Sequence, residues 1–449
     1  MVAARRLIRP VLRRLRRALG PLSGPWLGLV LAAAVGVLGA LAVAGFRALL
    51  FGTESLLVQA SGGHLVAAAD RLPPVHRLLA PAFGALAAGL LLWLARRAPV
   101  VPGGPPVRHQ GDYIEAVAIG DGRLDARAGP LKAGASLLVV STGGAVGREG
   151  AMVLLAALLA SGIGRLLGPV TDLRLLVSSG AAAGLAAAYH APLAGAMFVA
   201  EILLGSLALA RLGPVVVAAV MAHATTIALG GSATLYTVPP LALPGAAQAA
   251  PLVVLGLAGG LLGAGLLRWL EAARGLFIAS RLPLPLAFLL GGLVVGALSL
   301  ARPEVWGNGY SSIQQQLETT PAWQWLAAVL AFKLVAVAAT TGSGAPGGVF
   351  TPTLFVGAAV GGLAAAAAAG IGLPAAAAPV YTLVGMAVLL AGTTHAPVMA
   401  ALMVFEISGQ YALLPVLLAA CVLATLVSRR LHPRSVYGVE AAEAPDPRP

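Results

Sequence analysis

Apolar runs recur along this chain from Trp26 to Ser428, some long enough to cross a bilayer and others plainly too short. A helix needs roughly 20 residues to span the hydrocarbon core, and the runs 26–51, 77–95, 249–268, 284–300 and 323–341 meet or approach that length. The runs 133–147, 191–204 and 396–405 do not, and they are bounded by glycine, His-Ala-Pro or a carboxylate. Backbone that ends at membrane depth must be buried in protein or line a cavity, so these pieces read as half-helices or re-entrant segments. Hydrophobic residues make up 59% of the chain and charged residues 10%, where a soluble domain carries about a quarter charged. The fold class is therefore an all-α polytopic membrane protein.

The formal charge of +13 is almost entirely arginine, Lys132 and Lys333 being the only lysines. Seven arginines lie between Arg5 and Arg17, and Arg429, Arg430 and Arg434 follow the last apolar run. The positive-inside rule then places both termini in the cytoplasm. The basic start reads as a topology anchor and not as a nucleic-acid-binding arm, so no nucleic-acid partner is expected. A cleaved signal peptide fits poorly, because the first apolar run exceeds an h-region of about 7–15 residues. Cys421 is the sole cysteine, which excludes an intramolecular disulfide and every cysteine-based metal pattern. No metal or other cofactor is expected.

The chain repeats itself. "HAPLAGAMFVAE" (190–201) and "HAPVMAALMVFE" (395–406) share His-Ala-Pro and a final glutamate at the same spacing, 205 residues apart. "STGGAVGREGAMVLL" (141–155) has a partner in "TTGSGAPGGVFTPTLF" (340–355), and "HQGDYIEAV" (109–117) faces "WGNGYSSIQ" (306–314). Three elements in one order divide the chain into a basic segment (1–24), a first membrane repeat (25–236), a linker (237–251), a second repeat (252–430) and a short cytoplasmic tail (431–449). Internal duplication is a transporter signature, with the substrate site where the repeats meet. The sequence leaves open whether the halves run parallel or inverted.

Arg148 and Glu149 stand side by side in the first glycine-rich element, at a depth where a charge costs at least a few kcal/mol. Glycine beside a helix start lets backbone N–H groups converge on a ligand, and a helix N-terminus carries about half a positive charge. Two such ends aimed at one spot make an anion site without a full positive charge. Glycines that only let helices pack closely account for most of the 57 present; the repetition and the Arg-Glu pair set these two segments apart.

These residues resemble a known family. "GREGA" (147–151), "GAPGGVFTPTL" (344–354), the paired "HAP…E" elements and "SVY" (435–437) are similar to the CLC family of chloride channels and proton/chloride exchangers, most like its bacterial ClcB-type branch. The likeness runs from about Phe46 to Tyr437. It implies an inverted repeat of about 18 tilted and partly re-entrant helices, and a homodimer in the lipid bilayer of the inner membrane with one pathway per subunit. It implies chloride and similar anions as cargo, with Glu149 as the gate, its carboxylate occupying an anion site until protonation moves it aside. Chloride-binding positions would be Gly147, Arg148, Glu149 and Gly150 with Gly348, Val349, Phe350 and the Tyr437 hydroxyl, while Lys132 and Arg148 make the pathway electropositive. Glu201 and Glu406 match carboxylates at the ends of repeat-related helices, where a structural role is the favoured reading.

The pattern departs from the family in two places. The stretch "VRHQGDY" (107–113) lacks the serine that relatives use at an inner gate. Proton-coupled relatives often carry a second internal glutamate after the position of Glu201, and Ile202 stands there. This favours passive, channel-like conduction and leaves a proton-coupled exchanger as the alternative, with Glu201 the remaining carboxylate near that inner position. The chain stops twelve residues after Tyr437, so cytoplasmic nucleotide-binding domains are not expected. An intramembrane enzyme is the rival class, and no catalytic residues are assigned. Asp121 and Asp125 sit in the most polar stretch and read as a solvated loop. His190 and His395 read as helix boundaries before they read as a metal pair. A fluoride-selective relative fits less well, since "GREG" and "GGVFTP" follow the chloride type.

Overall fold

Seventeen α-helices, and no β-strand, are formed by the described residues of the computed structural model, which are 25–60, 62, 64–97, 112–168, 172–205, 208–232, 234–241, 245–372 and 377–438. The basic segment 1–24, residues 107–111 and the tail from 439 lie outside them. The first half holds α1 Pro25–Val58, α2 Leu65–Arg71, α3 Pro74–Arg97, α4 Tyr113–Ala118, α5 Ala128–Ser141, α6 Glu149–Leu167, α7 Leu173–Tyr189, α8 Pro192–Phe198 and α9 Leu209–Ala228. The second holds α10 Ala246–Ala279, α11 Leu284–Ala301, α12 Tyr310–Glu318, α13 Trp323–Gly342, α14 Phe350–Gly370, α15 Ala378–Thr394, α16 Pro397–Ser408 and α17 Leu414–Leu431. Among the described residues, nine helices are long and apolar enough to cross a membrane, and this is a multi-pass membrane protein. The stretch read as a linker, 237–251, is partly helical: Ala246 to Pro251 already belong to α10.

The two His-Ala-Pro elements act as identical joints. His190 and His395 end α7 and α15 in the left-handed conformation, with φ of 60° and 58°, the geometry that terminates a helix. Pro192 and Pro397 then open α8 and α16, where a missing N–H removes nothing from the helix. Each joint is completed by the other half of the chain. Glu406, near the end of α16, accepts from the N–H groups of Leu193 and Ala194 at 2.9 and 2.8 Å. Glu201, in a π-helical turn after α8, accepts from Val398 and Met399 at 3.3 and 2.8 Å. Each half-helix is thus capped by the carboxylate that ends its counterpart.

Small residues set how close the layers come. α7 and α15 are buried along most of their length. Gly180 and Gly184 lie against α6 at Ala156, Ala157 and Val153, while Gly357 and Gly361 of α14 meet Gly385 of α15 backbone to backbone. In lipid such small-residue contacts replace the hydrophobic drive to associate. The heads of α6 and α14 meet through an antiparallel bridge between Gly147 and Gly348. Two corresponding helices that abut head to head are related by a two-fold across their axes, so the halves are inverted.

Candidate functional site

The glycine-rich loops before α6 and α14 place two helix N-termini together. Gly147 N–H donates to the Gly348 carbonyl at 2.7 Å, and Gly348 N–H returns the bond to Gly147 at 2.8 Å. Arg148 and Val349 occupy the N-cap positions, and neither supplies a side-chain cap. The first N–H groups of a helix have no partner within it, so the amides at the heads of α6 and α14 are the donors left facing the junction. Gly147 and Gly348 contribute differently from the sequence expectation. Their N–H groups are committed to each other, which leaves Gly150, Val349 and Phe350 as the amides on offer.

A cavity of about 750 Å³ reaches this junction, lined there by Glu149, Gly150, Gly348, Val349 and Phe350. Tyr437 lines the same cavity from the segment after α17. That segment is docked by Val436 N–H on the Thr393 carbonyl at 2.9 Å, and the Tyr437 ring stands edge-on to Phe198 at 5.7 Å. Burial pushes the Tyr437 phenol above its usual range, and the Glu149 and Asp112 carboxylates push the same way. The hydroxyl therefore stays a donor at any physiological pH. Lys132 lines the cavity too, paired with Asp112 at 3.2 Å. Asp112 also caps α4 by accepting from Ile114 N–H. The backbone of that stretch is described from Asp112 onward, so the rest of the serine-lacking segment lies outside the described residues.

Glu149 is 2% exposed although it carries a carboxylate. One oxygen accepts from Asn308 Nδ2 at 2.9 Å, and the other has no hydrogen-bond partner among the described residues. Asn308 is itself held by a buried scaffold. Its Oδ1 accepts from Tyr310 N–H, and the loop before it is gripped by Lys333, whose Nζ donates to the carbonyls of Val305 at 2.9 Å and Gly307 at 2.7 Å. Trp306 packs on Gly143, whose φ of 100° and missing side chain leave the ring its place. A Cβ at Gly143 would collide with that indole.

Arg148 turns to a different surrounding. Its guanidinium lies over the rings of Phe51 and Tyr310, 5.4 and 5.2 Å from their centroids, and it is not part of the cavity lining. Nor are Gly147, Glu201 or Ile202. Asn308 and Lys333 were not foreseen as site residues. "WGNGY" is visible as a repeat element, but a hydrogen bond spanning 159 residues has no sequence signal.

The family profile described as voltage gated chloride channel matches residues 108–429. The chain belongs to that family. A Salmonella dublin member, described as the voltage-gated ClC-type chloride channel ClcB, is 48% identical over 423 residues, covering 92% of this chain and 99% of its own. The ClcB of Escherichia coli O81 is 46% identical over 422 residues, again covering 92% of this chain and 99% of its own. Among solved structures, a slow cyanobacterial Cl-/H+ antiporter superposes with a TM-score of 0.78 at 24% identity, over 92% of this chain and 96% of that one. A CLC-type fluoride/proton antiporter does so with a TM-score of 0.75 at 22% identity, over 91% and 96%. The fold of this voltage-gated chloride channel family member is the CLC inverted repeat.

Proposed function

We propose that the protein carries chloride passively across the bacterial inner membrane, as a homodimer with both termini cytoplasmic and one pathway in each subunit. The observation that carries this reading is the meeting of two uncapped helix heads at a cavity that also holds a buried, half-satisfied carboxylate. Such a place favours anions by backbone dipoles, and Glu149 is an anion on a tether. Protonation would remove its charge and let chloride take its place at the amides. Tyr437 would donate to the ion from below, and Lys132 would raise the local potential. The ClcB relatives, named as chloride channels over nearly their whole length, support the same cargo.

Chloride-loaded liposomes containing the purified protein should release chloride once valinomycin clamps the voltage. Chloride, bromide and nitrate should pass in preference to fluoride, because backbone amides cannot repay fluoride's dehydration. Glu149→Gln should remain active and, at saturating chloride, be nearly independent of pH. Folded dimers that release no more chloride than empty liposomes would end the transport reading. A Glu149→Gln variant that keeps wild-type pH dependence would end the gate assignment.

A further inference from the structure

Asn308 is 9% exposed, and both ends of its amide are engaged. Oδ1 accepts from Tyr310 N–H at 3.3 Å, and Nδ2 donates to Glu149 Oε1 at 2.9 Å. The amide cannot turn over, since reversal would set its NH2 against the Tyr310 N–H. Nδ2 therefore faces Glu149, where it can only donate. The loop that carries Asn308 is fixed as well. Gly307 N–H donates to the Gly143 carbonyl at 3.2 Å, which ties the loop to the first half of the chain. Lys333, wholly buried, holds the Val305 and Gly307 carbonyls.

Glu149 lines the cavity and Asn308 does not. The donor thus bears on the carboxylate and not on an ion in the cavity. A hydrogen bond to a charged acceptor is roughly twice as strong as one to a neutral acceptor. Asn308 therefore grips the carboxylate firmly and the protonated acid slackly. Other titratable or charged residues surround the pair. The elements packed on α6 carry Arg47 and Glu54 on α1, Tyr113 and Glu115 on α4, Lys132 on α5, and Arg174 and Tyr189 on α7. Arg148 and Arg165 belong to the α6 segment itself, and Tyr236, Tyr310 and Tyr437 also act on Glu149. A substitution at Asn308 leaves all of these in place.

We propose that Asn308 is a positioning residue of the gate, a fixed donor that retains Glu149 at the anion site while it is charged and lets it go once it takes a proton. The proposal rests on Glu149 being the gate. Without the donor, the tethered carboxylate competes less well with chloride for the helix-head amides. The difference is largest where the carboxylate is charged.

The test measures chloride affinity by titration calorimetry, at acid and at alkaline pH, on the purified, folded wild type, Asn308→Leu, Glu149→Ala and the double variant. Leucine keeps the bulk of the amide and removes its donor. At alkaline pH, Asn308→Leu should bind chloride up to about tenfold more tightly than the wild type, the scale of one hydrogen bond to a charged group. At acid pH the gain should shrink, because only the neutral acid is then held. In the Glu149→Ala background the same substitution should leave affinity unchanged at both pH values, since the contact it removes is already gone. Equal affinities of Asn308→Leu and the wild type at alkaline pH would overturn the proposal. So would an affinity loss in the Glu149→Ala background, which would put Asn308 on the anion itself. If the leucine variant does not fold, Asn308→Ala takes its place with the same expectations. A failure of the gate assignment reads out separately, as wild-type pH dependence of chloride binding in Glu149→Ala.

Discussion

Glu149 and Tyr437 reach the same cavity from residues 288 positions apart, one from a helix head and one from a terminal segment (437 − 149). Under the proposed function their chemistries are complementary, a removable acceptor and a permanent donor. Because burial holds the Tyr437 phenol above its ordinary range, the hydroxyl does not titrate where the gate operates. Tyr437→Phe should weaken chloride binding by about tenfold, the loss of one hydrogen bond to an ion, and by the same factor at mildly acid and mildly alkaline pH. Titration calorimetry checks this, and a deficit that vanishes at one pH would contradict the assignment. Both residues could be read from their motifs. What their motifs could not convey is the setting: Asn308 on the carboxylate, and Lys333 on the loop that carries Asn308. Each of these contacts joins segments far apart in the chain and depends on side-chain direction, which periodicity does not encode.

At the level of elements, the half-helices are held by an exchange of caps across the molecular two-fold. α8 and α16 are too short to be stable alone, and in a membrane protein unpaired N–H groups are costly. Glu201 and Glu406 satisfy two of those groups each. Glu406→Gln should therefore lower stability by about 1–3 kcal/mol, since one charged acceptor of two amides is lost. Chloride flux per folded protein should stay at the wild-type level. Thermal unfolding in detergent and liposome flux measure the two sides; an unshifted melting temperature would refute the capping role. The repeated glutamates announced a repeated structural part, and the short apolar runs announced half-helices. The reciprocity, each acid serving the opposite half, follows only from the inverted packing, which a parallel and an inverted duplication write identically in sequence.

For the whole molecule, the question is whether anion flow drags protons with it. A proton crossing the protein needs titratable groups or water at hopping distance along its route. Glu149 supplies one such group at the junction. Elsewhere, Ile202 cannot hold a proton, and the carboxylate of Glu201 is taken up by the amides of Val398 and Met399, away from the cavity lining. The cavity does carry carboxylates of its own in Asp112, Glu115 and Glu271, but Asp112 is tied to Lys132 and to the head of α4. The cavity also reaches Glu149 itself, which under the proposed function gives chloride a way to the gate. We expect weak or absent coupling. Liposomes under a downhill chloride gradient, with voltage clamped and an electrode recording external pH, should show chloride release with little proton movement. Stoichiometric uphill proton transport that disappears in Glu149→Gln would instead make the protein an exchanger, with one of the cavity carboxylates serving where Ile202 cannot.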